Sequence, residues 1–424
     1  MNTKLVGKTA LLALWLGAAS VQAQTNSNDP SPWTFSGYGT LGYSHEDEPN
    51  LKFVRDLGQK ASSTHSGSWK TDSRLGLQAG YRISPQTDAV AQLVLRDKTD
   101  ATLGNSVEWA YLSHRPLPEL NLRVGRVGID VFLLSDYRNL GYAQTTVRPN
   151  WDYYGFMPIY SLDGLDASYT LNTDAARWNL KAQLGRVEAA VPMMAGNNYH
   201  FVADNFVDVS VVREAGPWRL KGGLASMSLA NEAPLGALTQ PLAAVAGSGI
   251  PGISNEANSL LSGLRFKDGR ISYLTVGASY DDGLWQAQGE LSRVSGNRQV
   301  YVQGTAAYLN VGRRFASFTP YVGISAFHPR DSAAVATHDW ATVLGNEGGA
   351  LQAMAIGATN LVRINQRTVS LGMRWDFHSQ ASLKLQFDRI HILKNGNGLW
   401  GGNDSAPVAD ERANLVTATI DWVF

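Results

Sequence analysis

Residues 413–424 read ANLVTATIDWVF. Val416, Ala418, Ile420, Trp422 and Phe424 share one parity, and Thr417, Thr419 and Asp421 share the other. Successive side chains on an extended backbone point to opposite sides, so this alternation predicts a strand with one apolar face and one wet face. A loose C-terminal tail would be polar. The strand is expected to continue to Phe424, and its apolar face needs a partner.

The same period recurs along the chain. In TVSLGMRWDFH (368–378), Val369, Leu371, Met373, Trp375 and Phe377 alternate with Thr, Ser, Gly, Arg, Asp and His. In DSRLGLQAGYR (72–82), Leu75, Leu77, Ala79 and Tyr81 alternate with Arg74, Gly76, Gln78, Gly80 and Arg82. ASLKLQFDR (381–389) sets Leu383, Leu385 and Phe387 against Lys384, Gln386 and Asp388. The wet parity carries full charges. A membrane barrel turns its apolar parity to lipid and its charged parity to an aqueous interior. In lipid every backbone group must be paired, so such strands cross only as a closed barrel.

The connections alternate as well. Short turns fall at SPQT, RPLP, NTDA, EAGP, DDG, RFAS and HSQ. Longer segments lie near 45–68, 98–104, 130–160, 188–203, 229–263, 294–298, 329–364 and 394–412. This pattern predicts an all-β fold, a transmembrane antiparallel β-barrel of about sixteen strands with eighteen as the alternative. Amphipathic helical stretches are hard to find, and the long segments read as irregular loops.

Lys4 and Lys8, the apolar run LLALWLGAA and the small-residue site VQA compose a secretory signal over residues 1–23, leaving 24–424 as one barrel domain. There is no cysteine, which removes disulfides and thiolate metal sites from consideration. Lysine plus arginine and aspartate plus glutamate both number 36; without Lys4 and Lys8 the count is 34 against 36. A nucleic-acid partner would need a basic excess.

Ile420, Trp422 and Phe424 resemble the C-terminal signal of outer-membrane barrel proteins, which the barrel-assembly machinery reads. Together with the strands and leader, the chain resembles the Gram-negative (proteobacterial) outer-membrane porins of general-porin type. Residues 122–171 carry the most specific likeness: a strand with the pair Gly125-Arg126 leads into a long segment, and the next strand starts near Ser161–Gly164. Relatives carry a second proline after VRP, where this chain has Asn150. The resemblance implies that residues 130–160 form a third external loop folded into the lumen, with wall arginines opposite. The constriction candidates are then Arg74, Arg82 and Arg96 on the wall and Asp130, Asp136, Arg138, Arg148 and Asp152 on the loop. The loop aromatics Tyr142, Trp151, Tyr153 and Tyr154 pack against the wall or, in a substrate-specific channel, line a track for a sugar or aromatic acid. A homotrimer, contact with membrane lipid and lipopolysaccharide, small hydrophilic solutes passing by diffusion, an outer-membrane location and no cofactor are the further implications.

Other motifs carry less. GSGIPG (247–252) matches G-x-G-x-x-G, but Pro251 sits inside it and the flanks are a long loop, not a strand and a helix. The cluster His45, Glu46, Asp47 and Glu48 lacks EF-hand ligand spacing, and a solvated acidic loop explains it. An outer-membrane barrel enzyme would need a nucleophile, base and orienting group at one height. His65, His114, His328, His338, His378 and His391 are scattered and no G-x-S-x-G occurs, so no catalysis is expected.

Overall fold

The computed structural model describes residues 31–49, 51–60, 67–193, 198–401 and 410–424; the leader 1–23 and His65 lie outside the described residues. The strands are β1 (Trp33–Glu46), β2 (Arg74–Ser84), β3 (Thr87–Arg96), β4 (Val107–Leu117), β5 (Leu120–Gly128) and β6 (Ser161–Asn172). Then follow β7 (Arg177–Pro192), β8 (Asn198–Ala215), β9 (Trp218–Ser228), β10 (Arg270–Asp281) and β11 (Trp285–Gly296). The last are β12 (Gly304–Arg313), β13 (Phe318–Pro329), β14 (Ile364–His378), β15 (Ala381–Asn397) and β16 (Glu411–Val423). Each pairs antiparallel with its chain neighbours, and β1 pairs with β16 to close the barrel at sixteen strands.

Seven connections at one end are tight turns, and the longer ones lie at the other end, as the sequence alternation predicts. The expected loop over 188–203 is mostly strand instead: β7 runs to Pro192 and β8 starts at Asn198. Val187, Tyr199, Phe201 and Ala203 are buried there, and that burial extends the pairing beyond the membrane belt.

Residue parity changes meaning along the strands. On β15, Leu385 and Phe387 are exposed on the outer wall, while Lys384, Gln386 and Asp388 are buried inside. One turn of the pleat further on, Arg389 faces out and Ile390 and Ile392 face in. Strands β14 and β16 behave alike: Val369 and Val416 face out, then Arg367 and Asn414 follow on the same face. From Val369 to Phe377 the outer face of β14 is apolar over roughly 27 Å of strand, at about 3.4 Å per residue. With a tilt of about 40° that covers roughly 20 Å of membrane normal, close to the belt such barrels present. Trp33, Phe35, Tyr81, Trp218, Trp285, Phe318, Trp375 and Phe424 are exposed around the turn end, forming an aromatic girdle. Trp422 and Phe424 lie across Gly39 and Gly37 of β1, where an added Cβ would meet their rings at 2.1 and 2.3 Å.

Beyond the inversion, the inward residues belong to a packed core. Tyr199, Phe201, Tyr273, Phe327, Ile390 and Leu415 join one apolar cluster with Phe53 and Trp400 of the long connections. The charged inward parity read from the strands thus gives way to apolar inward residues at the loop end. The connections also contain helices: α1 (Leu103–Ser106), α2 (Trp151–Tyr154), α3 (Gly236–Ala246), α4 (Ile253–Gly263) and α5 (Trp340–Asn360). Reading these stretches as irregular loops missed them, because α3 carries no charged residue and α5 only Glu347 to mark a wet face. GSGIPG is the link between α3 and α4, with Gly252 at φ +78°. In α4, Glu256 ties the external layer together by accepting from Thr337 N at 3.1 Å, Gln352 Nε2 at 2.8 Å and Trp340 Nε1 at 3.3 Å. Burial opposes the charge of Glu256, but these bonds and His338 outweigh it and hold its carboxyl down at about 2.

Candidate functional site: the loop inside the lumen

Residues 129–160 leave β5 and return to β6 through the barrel interior. Ile129, Val131, Phe132, Leu134, Phe156 and Met157 are buried in the apolar cluster. Arg138 organises the backbone by donating to Ile159 O at 3.2 Å and Tyr154 O at 2.8 Å, with its guanidinium 4.1 Å from the Tyr160 ring centroid. Asn150, at the position of the expected second proline, starts α2: its carbonyl accepts from Tyr153 N and Tyr154 N at 3.2 and 2.9 Å.

Contacts between this segment and the wall run almost around the barrel. Asp130 accepts from Ser210 Oγ on β8 at 2.6 Å and pairs with Lys221 on β9 at 2.8 Å and Lys181 on β7 at 3.6 Å. Lys221 also donates to Phe132 O at 2.8 Å. Glu290 on β11 accepts from Leu133 N at 2.8 Å and from the Tyr154 hydroxyl. Tyr153 Oη is 2.8 Å from Thr275 Oγ1 on β10. Asp152 is fully buried and accepts from Ser325 on β13 at 2.7 Å and Thr368 on β14 at 3.1 Å.

Arg148 makes the densest anchor. Its Nε and Nη2 donate to the two oxygens of Asp72 at 2.9 and 2.7 Å, and Nη2 also to Thr417 on β16 at 2.6 Å. Nη1 lies 3.5 Å from Asp388 on β15. Burial alone would raise Asp72; the Arg148 guanidinium holds it below the usual carboxylate range. Near this anchor Lys384 donates to Gly141 O at 2.7 Å and pairs with Asp421 at 3.2 Å.

Of the wall arginines, Arg74 is buried and donates from Nε to Asn139 O at 2.6 Å. Arg96 pairs with Asp56 of the first long connection at 3.3 Å and Glu108 at 3.5 Å, its guanidinium 4.0 Å from the Tyr160 ring centroid. Arg82 is exposed at the turn end and is not brought to the loop. Asp136 is half exposed, 3.8 Å from Lys181. Trp151, Tyr153 and Tyr154 are buried, and Tyr142 donates to Ser379 O at 2.7 Å near the turn end. Sequence reasoning did not assign roles to Lys181, Lys221, Glu290, Lys384 or Asp388, although each occupies the inward parity of its strand.

Two polar cavities flank the loop toward the turn end. The larger lies between Asp130, Asp136 and the Arg123, Arg177, Lys181 and Arg219 side of the wall. The other lies between Thr145, Asn150 and the Gln286, Gln288 and Tyr321 side.

Gly141 marks the closest approach to the wall: an added Cβ would stand 1.9 Å from Asp421 Oδ1 and 2.7 Å from Thr40 Oγ1. Gly141→Val is expected to push the loop off β1 and β16 and cost about 1–3 kcal/mol by overpacking. Urea unfolding in micelles checks this, with Gly357→Ala as control because nothing lies within 4 Å of that position. Equal midpoints for the two variants would contradict the close approach.

A closed sixteen-stranded barrel with an apolar belt and a long loop folded into its interior has the architecture of general outer-membrane porins. Solved structures with this fold include outer-membrane expressed OmpT of Vibrio cholerae, at TM-score 0.50 and 12% identity over 93% of this chain and 99% of that one. Salmonella typhi OmpF in complex with daunomycin matches at 0.50 and 11% over 92% and 97%. Pseudomonas putida OprB matches at 0.51 and 10% over 93% and 94%. No protein-family model and no curated protein matches the sequence.

Proposed function

We propose that the chain is a porin of the Gram-negative outer membrane, exported by residues 1–23 and assembled as a homotrimer. It passes small hydrophilic solutes and ions by diffusion past a loop, 130–160, that narrows the lumen. The observation that carries this reading is the loop itself, anchored on opposite walls by Asp130–Lys221 and Arg148–Asp72 with polar cavities on both sides. Charges fixed on the wall and loop set ion preference in such a passage. Asp136, Arg123, Arg177 and Arg219 face the larger cavity and are the groups a solute meets there.

No covalent step and no cofactor belong to this function. His45, His114, His200, His328 and His391 lie on the outer-wall parity, His338 on an external segment and His378 beside a turn, so no described histidine stands beside a lumenal nucleophile. A second reading, a channel specific for a sugar or an aromatic acid, is favoured by Trp109 and Tyr111 beside Arg123 in the larger cavity. Planar-bilayer recording tests the proposal. Small unitary steps are expected, and a folded barrel that conducts nothing would overturn it. Block of those steps by one micromolar solute would replace diffusion with the specific channel.

A further inference from the structure

The two cavities beside the loop differ in chemistry. The larger is lined by seven charged residues, among them Arg123, Arg177 and Asp136. The other has one charged residue in its lining, Asp281 at the turn end, and Arg314 holds both of its oxygens at 2.6 and 2.8 Å. The rest of that lining is rich in side-chain amides and hydroxyls, with Gln286, Gln288 and Asn310 from the wall and Gln144, Thr145 and Asn150 from the loop.

Strand register builds this amide surface. Gln286 and Gln288 share the inward parity of β11, and Gln288 stands directly across from Asn310 on β12. Asn310 lies opposite Gly323 on β13, where an added Cβ would stand 2.3 Å from Asn310 Oδ1, so the glycine gives that amide room against the wall. On the loop side, Thr145 Oγ1 donates to Gln286 Oε1 at 2.6 Å. Gln288 gives one N–H to Tyr308 Oη at 2.5 Å. The side chains of Asn310 and Asn150 make no hydrogen bond among the described residues. Gln288, Asn310 and Asn150 are all half-buried, so their amides are shielded on the wall side and open on the cavity side.

We infer that this second cavity is a binding site for an uncharged saccharide, held by the amides of Gln288, Asn310 and Asn150. A charged solute entering it would shed water and meet no free counter-charge. An amide offers a donor and an acceptor from one planar end, and a sugar hydroxyl both donates and accepts, so adjacent hydroxyls of one ring satisfy adjacent amides. The inference rests on the channel proposed above and assigns one solute class to one side of its loop.

The test records the folded full chain in planar bilayers while maltose is added in millimolar steps, with a poly(ethylene glycol) of similar size as the comparison. Maltose should lower the unitary current saturably to a smaller, non-zero level, because the charged side stays open to ions. The polyether accepts hydrogen bonds without donating any, leaves the amide oxygens unpaired and should show no saturation. N310L removes no internal hydrogen bond and should raise the half-saturating maltose concentration about 5-fold, about one neutral hydrogen bond. Q288L/N310L should raise it about 25-fold, and N310L alone decides if the double variant fails to fold. The reversal potential in a salt gradient should keep its wild-type value in both, since no fixed charge is touched; a shift would overturn the separation of the two sides. Equal half-saturation in N310L and the wild type would overturn the site. So would saturation by the polyether, or complete block by maltose. Failure of the channel reading shows separately, as the absence of unitary current in salt alone.

Discussion

Replacing Arg148 by alanine is expected to destabilise the folded barrel by about 3–5 kcal/mol and to raise its unitary conductance. Arg148 and Asp72 are both almost fully buried, so neither charge has water to fall back on. The substitution removes both hydrogen bonds to the Asp72 carboxylate and the facing charge at Asp388. A buried carboxylate left without its cation costs far more than the intact pair contributes over an apolar replacement. The loop also loses its bond to Thr417, which is its tether to the closing strand. Freed on that side, residues 144–150 can leave the β15–β16 wall, and the passage beside them widens. Asp72→Asn added to Arg148→Ala should recover part of the stability and none of the conductance change, because it removes the stranded charge without restoring the tether. Chemical unfolding in micelles and bilayer recording on the same preparations measure both effects. An unchanged midpoint with an unchanged conductance would show that Arg148 is not what holds the loop.

Deleting Phe424 is expected to lower the yield of assembled barrel far more than it alters conductance in the molecules that fold. Phe424 N donates to Gly37 O at 3.0 Å and its carbonyl accepts from Gly37 N at 2.9 Å, so the deletion strips two bonds from the β1–β16 seam. Its ring, 59% exposed, crosses Gly37 on the outer wall. Closure is the step that pairs the last free strand edges, and edges left open in lipid cost several kcal/mol per unpaired group. Phe424→Ala retains the backbone bonds and separates that loss from the loss of the ring itself. Heat-modifiable mobility of the extracted protein reports the yield. Full yield after the deletion would end the view of Ile420, Trp422 and Phe424 as an assembly signal.

The strand pattern and its outward and inward faces were legible because alternation is local: the pleat assigns each side chain a face before any partner is known. ASLKLQFDR already placed Lys384 and Asp388 on the wet face, where they meet Gly141 and Arg148. Further along the same strand Ile390 and Ile392 reverse the rule, since past the membrane belt the outside is wet and the loops cover the inside. The helices α3 and α5 escaped notice because they carry too few charges to show a period, although much of their surface is exposed.

By itself, then, the sequence determined a closed antiparallel barrel with sixteen strands as its expected count and 130–160 as one of its long connections; the resemblance singled that connection out. The count and the connections follow from spacing within a strand or between two turns. Only the tertiary structure decided that Arg148 takes Asp72, that Asp130 takes Lys221, and that Arg82 takes no part. Those pairs join residues of the loop to parts of the barrel far from it in sequence. Which inward charge a loop reaches depends on the register and closure of all sixteen strands together, and no local pattern encodes that distance.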